Sequence, residues 1–312
     1  MESAPYKDRS AGLVFFGIVH ILLGLLFAGL ALLTIAGAEL ARRGGTPMPP
    51  QTSIAQNLLI YSLLAAYAFT IGVGSIRGRR WACALAAAFS WLWLLTGIVS
   101  GAMLIIFMPR LLQMVPPASA PIVIGCIVAI VAVFYLLLPL SFVLFYQRAD
   151  VRATCAARDP KPRWTDRVPV PVLALCILLG FAALVLIANV GHPVVPILGT
   201  ILTGPPAALT LIALAGLLGW LAVQLYRLKE SAWWTVVLLQ VIGGILGALT
   251  FARININRLY EAMGMMTPQL RGLHLEQIFD NPILWIFVAA TWIGYLAFLI
   301  WLRRYFVGKV TT

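Results

Sequence analysis

The chain has 312 residues, 62% of them hydrophobic and only 10% charged, with a mean hydropathy of +0.98. Soluble domains carry about 25% charged residues, so a soluble fold is excluded and the chain belongs in a bilayer. The net charge of +12 would suit a nucleic-acid partner only if some loop could fold into a basic domain, and none is large enough.

Crossing a hydrocarbon core of roughly 30 Å takes about 20 residues of helix. Eight apolar runs meet that length: 11–36, 55–75, 81–107, 121–146, 170–190, 206–226, 232–252 and 282–301. Barrel strands are ~10 residues long and alternate in polarity, so the expected fold is an all-α polytopic integral membrane protein of about eight transmembrane helices. Lys7 and Arg9 precede the first run, and Ala36-Gly37-Ala38 resembles a signal-peptidase site. A signal h-region is usually about 7 to 15 residues, so this longer run is read as a retained helix.

Sixteen lysines and arginines fall on one side of this topology and six on the other. The positive-inside bias then predicts a multi-pass protein of the inner (plasma) membrane with both termini cytoplasmic. Of the four cysteines, Cys83, Cys126 and Cys176 fall in predicted spans and Cys155 in a cytoplasmic loop. No disulfide framework is expected from that placement.

The two halves of the chain match weakly but in order. His20-Ile21-Leu22-Leu23-Gly24 corresponds to Cys176-Ile177-Leu178-Leu179-Gly180. Arg77-x-Arg79-x-Trp81 is echoed by Arg227-x-Lys229 with Trp233 and Trp234. Gly97-x-x-x-Gly101 pairs with Gly243-x-x-x-Gly247, and Tyr135-Leu136 with Tyr295-Leu296. Four matches in one order predict a parallel 4+4 internal duplication. The organisation is then a cytoplasmic N-terminus (1–10), a first four-helix repeat (11–146), a basic connector (147–169), a second repeat (170–302) with an outer loop (254–281), and a cytoplasmic C-terminus (303–312).

The connector carries six basic and three acidic residues. Besides being a positive-inside linker, it reads as a strap at headgroup level, with Arg152, Arg158, Lys161, Arg163, Trp164 and Arg167 facing anionic lipid. Segment 192–205 is too short to span and too apolar for an ordinary loop; it is read as re-entrant or as an interfacial loop. In the outer loop, Leu259, Met263 and Met266 form one apolar face and Leu270, Leu273, Gln277 and Ile278 a second. Both are expected to cap the bundle or, with their methionines, to dock a partner.

All ten carboxylates lie outside the predicted hydrocarbon runs, which removes the midplane ionisable residue that proton- or sodium-coupled carriers use. His20 is the one histidine within a span, about 15 Å along its helix, flanked by Gly17 and Gly24. It is expected in a helix seam, bonded to a Ser, Thr or Tyr of another span; relay, substrate contact and haem ligation with Cys176 are the other readings. Gln240, Thr96, Ser100 and Ser141 could line a polar path with it, or simply bond between helices. No nucleotide loop, serine elbow, HExxH or paired-carboxylate motif occurs, so no catalytic residue, metal or resident cofactor is expected.

The leading expectation is a non-catalytic membrane protein that packs helices against lipid, a membrane-protein partner or its own copies. Gly17, Gly24, Gly97, Gly101, Gly180, Gly243 and Gly247 would be its packing residues. The alternatives are a permease for an uncharged or lipophilic solute, and a haem or quinone redox protein.

Overall fold

In hydrocarbon the backbone must satisfy its own polar groups, and this chain does so almost wholly by helices. A computed structural model describes residues 6–44, 51–113, 115–116, 118–266, 276 and 279–307. The order is α1 (Ser10–Arg43), α2 (Gln51–Ile76), α3 (Arg80–Gln113), α4 (Ala120–Ile130), a π-helical stretch (Val131–Leu137), α5 (Leu138–Tyr146), α6 (Ala149–Arg158) and α7 (Val170–Ala188). A hairpin of β1 (Val194–Ile197) and β2 (Thr200–Thr203) follows, then α8 (Gly204–Tyr226), α9 (Glu230–Phe251), α10 (Ile256–Ala262) and α11 (Pro282–Leu302).

Eight segments are long and apolar enough to cross a membrane, with Ala120–Tyr146 counting as one. They coincide with the runs read from sequence, but α1 continues to Arg43 and α3 to Gln113. The added turns of α1 carry Glu39, which pairs with Arg42 at 2.9 Å and Arg43 at 2.8 Å at i,i+3 and i,i+4 spacing.

The chain divides into two compact units. Unit 1 is Met1–Leu92 with Leu138–Ala174, and unit 2 is Trp93–Leu137 with Leu175–Thr312. In unit 1, α1 and α2 pack along one seam. A Cβ on Gly17 would lie 2.8 Å from the Gly72 carbonyl oxygen, and one on Gly72 would lie 2.8 Å from that of Gly17. Such reciprocal closeness is the purpose of small residues between membrane helices. Farther along, Gly24 faces the Phe69 ring at 3.0 Å.

In unit 2, segment 192–205 forms an antiparallel hairpin with Val194 opposite Thr203 and Ile197 opposite Thr200. Two short strands thus satisfy each other's backbone groups in this segment. Leu198 (φ 48°) and Gly199 (φ 86°) form the turn, whose two positive φ values match the type I′ geometry favoured in two-residue hairpins. The Thr250 hydroxyl accepts the Leu198 N–H at 2.8 Å, and the His192 ring donates from Nε2 to the Ala262 carbonyl at 2.9 Å.

Asn255 caps α10 by accepting the Arg258 N–H at 3.0 Å. Ile254, Ile256, Leu259 and Leu284 form a buried cluster, with Met103, Ile106, Phe107, Val194, Ile201 and Met263 against it. The first predicted outer face therefore closes over helix ends, with Leu259 buried and Met266 half-buried. Leu270, Leu273, Gln277 and Ile278 lie outside the described residues.

The turn α2–α3 recurs at α8–α9. The N–H of Gly78 bonds to the Ser75 carbonyl at 2.8 Å and that of Arg79 to the Gly74 carbonyl at 2.9 Å. The N–H of Leu228 bonds to the Leu225 carbonyl at 2.8 Å and that of Lys229 to the Gln224 carbonyl at 3.1 Å. Both are Schellman caps, with a positive φ at Gly78 (63°) and Leu228 (54°).

Pro139 has no N–H for the Tyr135 carbonyl four residues back, and the chain runs as π-helix just before it, as proline-disrupted helices do. A Cβ on Gly97 of α3 would overlap that Tyr135 carbonyl oxygen, so glycine alone admits the approach. Gly97→Val is expected to destabilise the protein by about 1–3 kcal/mol, the usual effect of overpacking. Gly101→Ala, whose Cβ would meet only Val131 at 3.7 Å, is expected to be near neutral. Thermal unfolding in detergent measures both, and equal melting temperatures would refute the close-approach account.

Candidate functional site

The densest polar chemistry gathers at the end of unit 1 where α1 begins and α5 ends. Ser75 is fully buried and Tyr146 nearly so. The Ser75 hydroxyl donates to the Leu13 carbonyl at 3.2 Å, so Tyr146, 2.7 Å away, donates its O–H to Ser75. One short chain of donors therefore joins α5, α2 and α1, leaving no polar group of the trio unsatisfied.

His20 is buried, stacked on Phe142 at 4.4 Å and edge-on to Tyr146 at 6.0 Å. Its expected partner on another span is replaced by a nearer acceptor: Nδ1 lies 2.8 Å from the Phe16 carbonyl of its own helix. A carbonyl can only accept, so Nδ1 bears the proton and neutral His20 keeps a lone pair on Nε2. An imidazole one helical turn from a carbonyl finds that carbonyl before any other helix.

The connector is folded. In α6 and the turn after it, Val151, Thr154, Cys155, Asp159, Thr165 and Val168 are buried. Asp159, only 3% exposed, receives Arg163 through Nε at 2.9 Å and a terminal nitrogen at 2.7 Å, with Arg79 at 3.8 Å. The bidentate geometry is the strong form of this pair. Hydrogen bonds from Arg163 hold the Asp159 carboxyl below the ordinary carboxylate range, with the Arg163 and Arg79 charges adding to the effect.

Arg80 meets Asp166 at 3.2 Å, and the Arg163 N–H donates to Asp166 at 2.7 Å. From α1, the Arg9 N–H donates to Thr154 Oγ1 at 3.1 Å and its guanidinium reaches Asp150 at 3.4 Å. Of the expected headgroup residues, Arg163 is committed to Asp159, while Arg152, Arg158, Lys161, Trp164 and Arg167 stay exposed.

Cys83 and Cys155 are joined in a disulfide, with Cα atoms 7.1 Å apart. This corrects the expectation of no disulfide. Cys83 lies within a span by sequence, but it occupies the first turn of α3, and the folded connector brings Cys155 to that turn. Where a compartment is oxidising the bond tethers the connector; where thiols are kept reduced, the ion pairs act alone. Cys126 and Cys176 are free.

The other candidates are dispersed. His20 belongs to unit 1, and Cys176, Gln240, Thr96 and Ser100 to unit 2. Thr96 and Ser100 are exposed, and Gln240 and Cys176 half-buried. The Ser141 hydroxyl donates to the Leu138 carbonyl at 2.7 Å. A Cβ on Gly180, Gly243 or Gly247 would meet nothing within 4 Å. Among the described residues no three His, Cys, Asp or Glu side chains group as metal ligands.

The sequence reading passed over Ser75, Tyr146, Asp159 and Arg9. It also passed over Gln224, which is buried in unit 2 with Oε1 lacking a hydrogen-bond partner. The available signal was the pattern of acids at positions 150, 159 and 166, set among the arginines facing α1 and α3.

Because the Asp159 carboxyl is depressed, its ion pair stabilises the connector above about pH 4, the ordinary carboxylate value. That stability is lost as pH falls through the lower folded value. The melting temperature is therefore expected to be flat above about pH 5 on this account and to fall below about pH 4. Asp159→Asn is expected to speed tryptic cleavage after Arg152 and Arg158 at neutral pH; an unchanged rate would refute the stabilisation of the connector by this ion pair. Reduction of the Cys83–Cys155 bond reopens a 72-residue separation. The chain-entropy account assigns that loop about 4 kcal/mol, read as a lower melting temperature with dithiothreitol that Cys83→Ser abolishes. In comparisons with known proteins, no family model, curated protein or solved structure matches the chain.

Proposed function

We propose that the protein is a non-catalytic integral membrane protein of the inner membrane, with both termini cytoplasmic, that works by packing its helices against a membrane-protein partner or further copies of itself. The observation that carries this reading is an asymmetry among the glycines of unit 2. Gly97 and Gly244 are enclosed, by the Tyr135 carbonyl and the Trp292 indole. At Gly180, Gly216, Gly219, Gly243, Gly247 and Gly294 a Cβ would meet nothing within 4 Å.

A glycine within a helix costs about 0.5–1 kcal/mol relative to alanine. Six such positions on α7, α8, α9 and α11 have no packing reason among the described residues of unit 2. Close approach of another helix supplies one.

The parallel 4+4 duplication is part of the same proposal. It is supported by the recurrence of the Schellman turn with its basic residues, Arg77 and Arg79 in one copy and Arg227 and Lys229 in the other. Duplicated bundles also serve as permeases, so the same recurrence favours a second reading, passage of an uncharged or lipophilic solute.

The test is the double variant Gly243→Leu/Gly247→Leu. It is expected to fold with an unchanged or higher melting temperature, since each glycine costs its helix up to about 1 kcal/mol. The assembled species seen by light scattering after mild extraction is expected to disappear. A wild-type protein that runs as a lone monomer with nothing retained would refute the assembly reading.

A further inference from the structure

A cavity of about 450 Å³ opens in unit 1 between the first turns of α1 and the last turns of α5. Its mouth carries Arg9 and Arg148, and its walls include Gly12, Phe16, Leu144 and Phe145. The walls follow from a glycine. A Cβ on Gly12 would overlap the Phe145 ring, so that ring lies directly on the α1 backbone and Leu144 is left 59% exposed beside it. The Ser141 hydroxyl, deeper in the cavity, is committed to the Leu138 carbonyl, so the depth offers no hydroxyl proton.

The mouth is different in kind. The Arg9 guanidinium reaches Asp150 through one terminal nitrogen, while its Nε is buried without a hydrogen-bond partner. Arg148 is exposed, and among the described residues no carboxylate lies within ion-pair distance of it. Asp8 also lines the mouth and remains a carboxylate, its Oδ1 accepting both the N–H and the hydroxyl of Ser10, so with Arg9 and Arg148 the lining carries one net positive charge. The site therefore presents cationic side chains above a trough whose α1 wall is Ala11, Gly12 and Phe16, reaching seven positions beyond Arg9, about 10 Å of helix.

We propose that this cavity binds one anionic phospholipid of the surrounding bilayer, its phosphate between Arg9 and Arg148 and one acyl chain along Phe16, Leu144 and Phe145. A free phosphate would satisfy the guanidiniums and leave the apolar depth unused; a zwitterionic lipid would fill the depth and bring no net charge. The position suits the occupant, since α1 and the Ala120–Tyr146 segment that α5 completes are membrane-length, and the cavity lies at the ends where their charged residues begin. The inference rests on the helices crossing a bilayer and is independent of the assembly proposed above.

Full-length protein in neutral detergent is titrated with phosphatidylglycerol in mixed micelles, and lipid adducts on the protomer are counted by native mass spectrometry. Phosphatidylglycerol is expected to bind as one adduct and phosphatidylcholine not to. A cation at a lipid surface contributes about 1 kcal/mol, so Arg148→Gln is expected to weaken binding about fivefold and Arg9→Gln/Arg148→Gln about thirtyfold. Ala11→Phe, which fills the trough and keeps both cations, is expected to weaken it as well. Arg152→Gln and Arg167→Gln, exposed connector cations away from the cavity, are expected to bind as wild type.

Should the Arg9 variant fail to fold, Arg148→Gln and Ala11→Phe decide. Wild-type affinity in both overturns the proposal, as does equal binding of phosphatidylcholine. Inorganic phosphate that abolishes the phosphatidylglycerol adduct and itself survives as an adduct would overturn it in favour of a soluble-anion site.

Discussion

A peptide group without a partner in hydrocarbon costs several kcal/mol, and the irregular places in this chain show how that constraint is met. Pro139 removes the donor that would serve the Tyr135 carbonyl; the helix widens into π turns before it and Gly97 of α3 fits against the same carbonyl. The strands β1 and β2 pair with each other, and Thr250 takes the N–H of the turn residue Leu198. His20 turns to the carbonyl of Phe16 in its own helix. The hairpin and His20 thus find their partners locally, and the helices are free to present apolar side chains around their circumference.

The arginines of unit 1 act twice. As a count along the sequence they mark the basic side of the expected topology, and in the fold Arg79, Arg80 and Arg163 are matched against Asp159 and Asp166. The connector is consequently not a loose collection of cations over a lipid surface. Asp159 and Asp166 face arginines of the α2–α3 turn, Asp150 faces Arg9 at the start of α1, and the cations Arg152, Arg158, Lys161 and Arg167 are exposed. A charge count supports orientation because it needs only position along the chain. It overstates the cations left to lipid because pairing is a property of the folded state.

The same distinction separates what was legible in the sequence from what was not. The eight membrane-length helices were legible because length and apolarity set them residue by residue, and their ends moved by only a turn or two. The Arg77 and Arg227 turns were legible as a recurring pattern whose common Schellman geometry the structure displays. The docking of Cys155 on Cys83, the Tyr146–Ser75–Leu13 chain and the burial of Asp159 were not. Each joins residues more than 60 positions apart or depends on a helix, α6, whose apolar face is only Val151, Thr154 and Cys155. The glycines show the limit most clearly: Gly97 and Gly243 open GxxxG motifs of equal appearance, yet one is pressed on a carbonyl and the other faces open space.

Arg9 joins the two features of unit 1 that sequence reading missed. Its backbone N–H donates to Thr154 of the connector, one guanidinium nitrogen reaches Asp150, and the residue lines the cavity between α1 and α5. An anion placed against Arg9 draws on the same guanidinium that attracts Asp150, so occupancy of the cavity and docking of the connector are thermodynamically linked. Linkage is reciprocal: whatever factor the docked connector imposes on an anion at Arg9, the anion imposes on the connector. The sign follows from charge. Asp150 and an anionic phosphate repel each other and compete for one cation, while Arg148, with no carboxylate partner among the described residues, offsets the repulsion by pairing with the newcomer. The connector then depends all the more on Asp159 and Asp166, whose arginines lie outside the cavity lining.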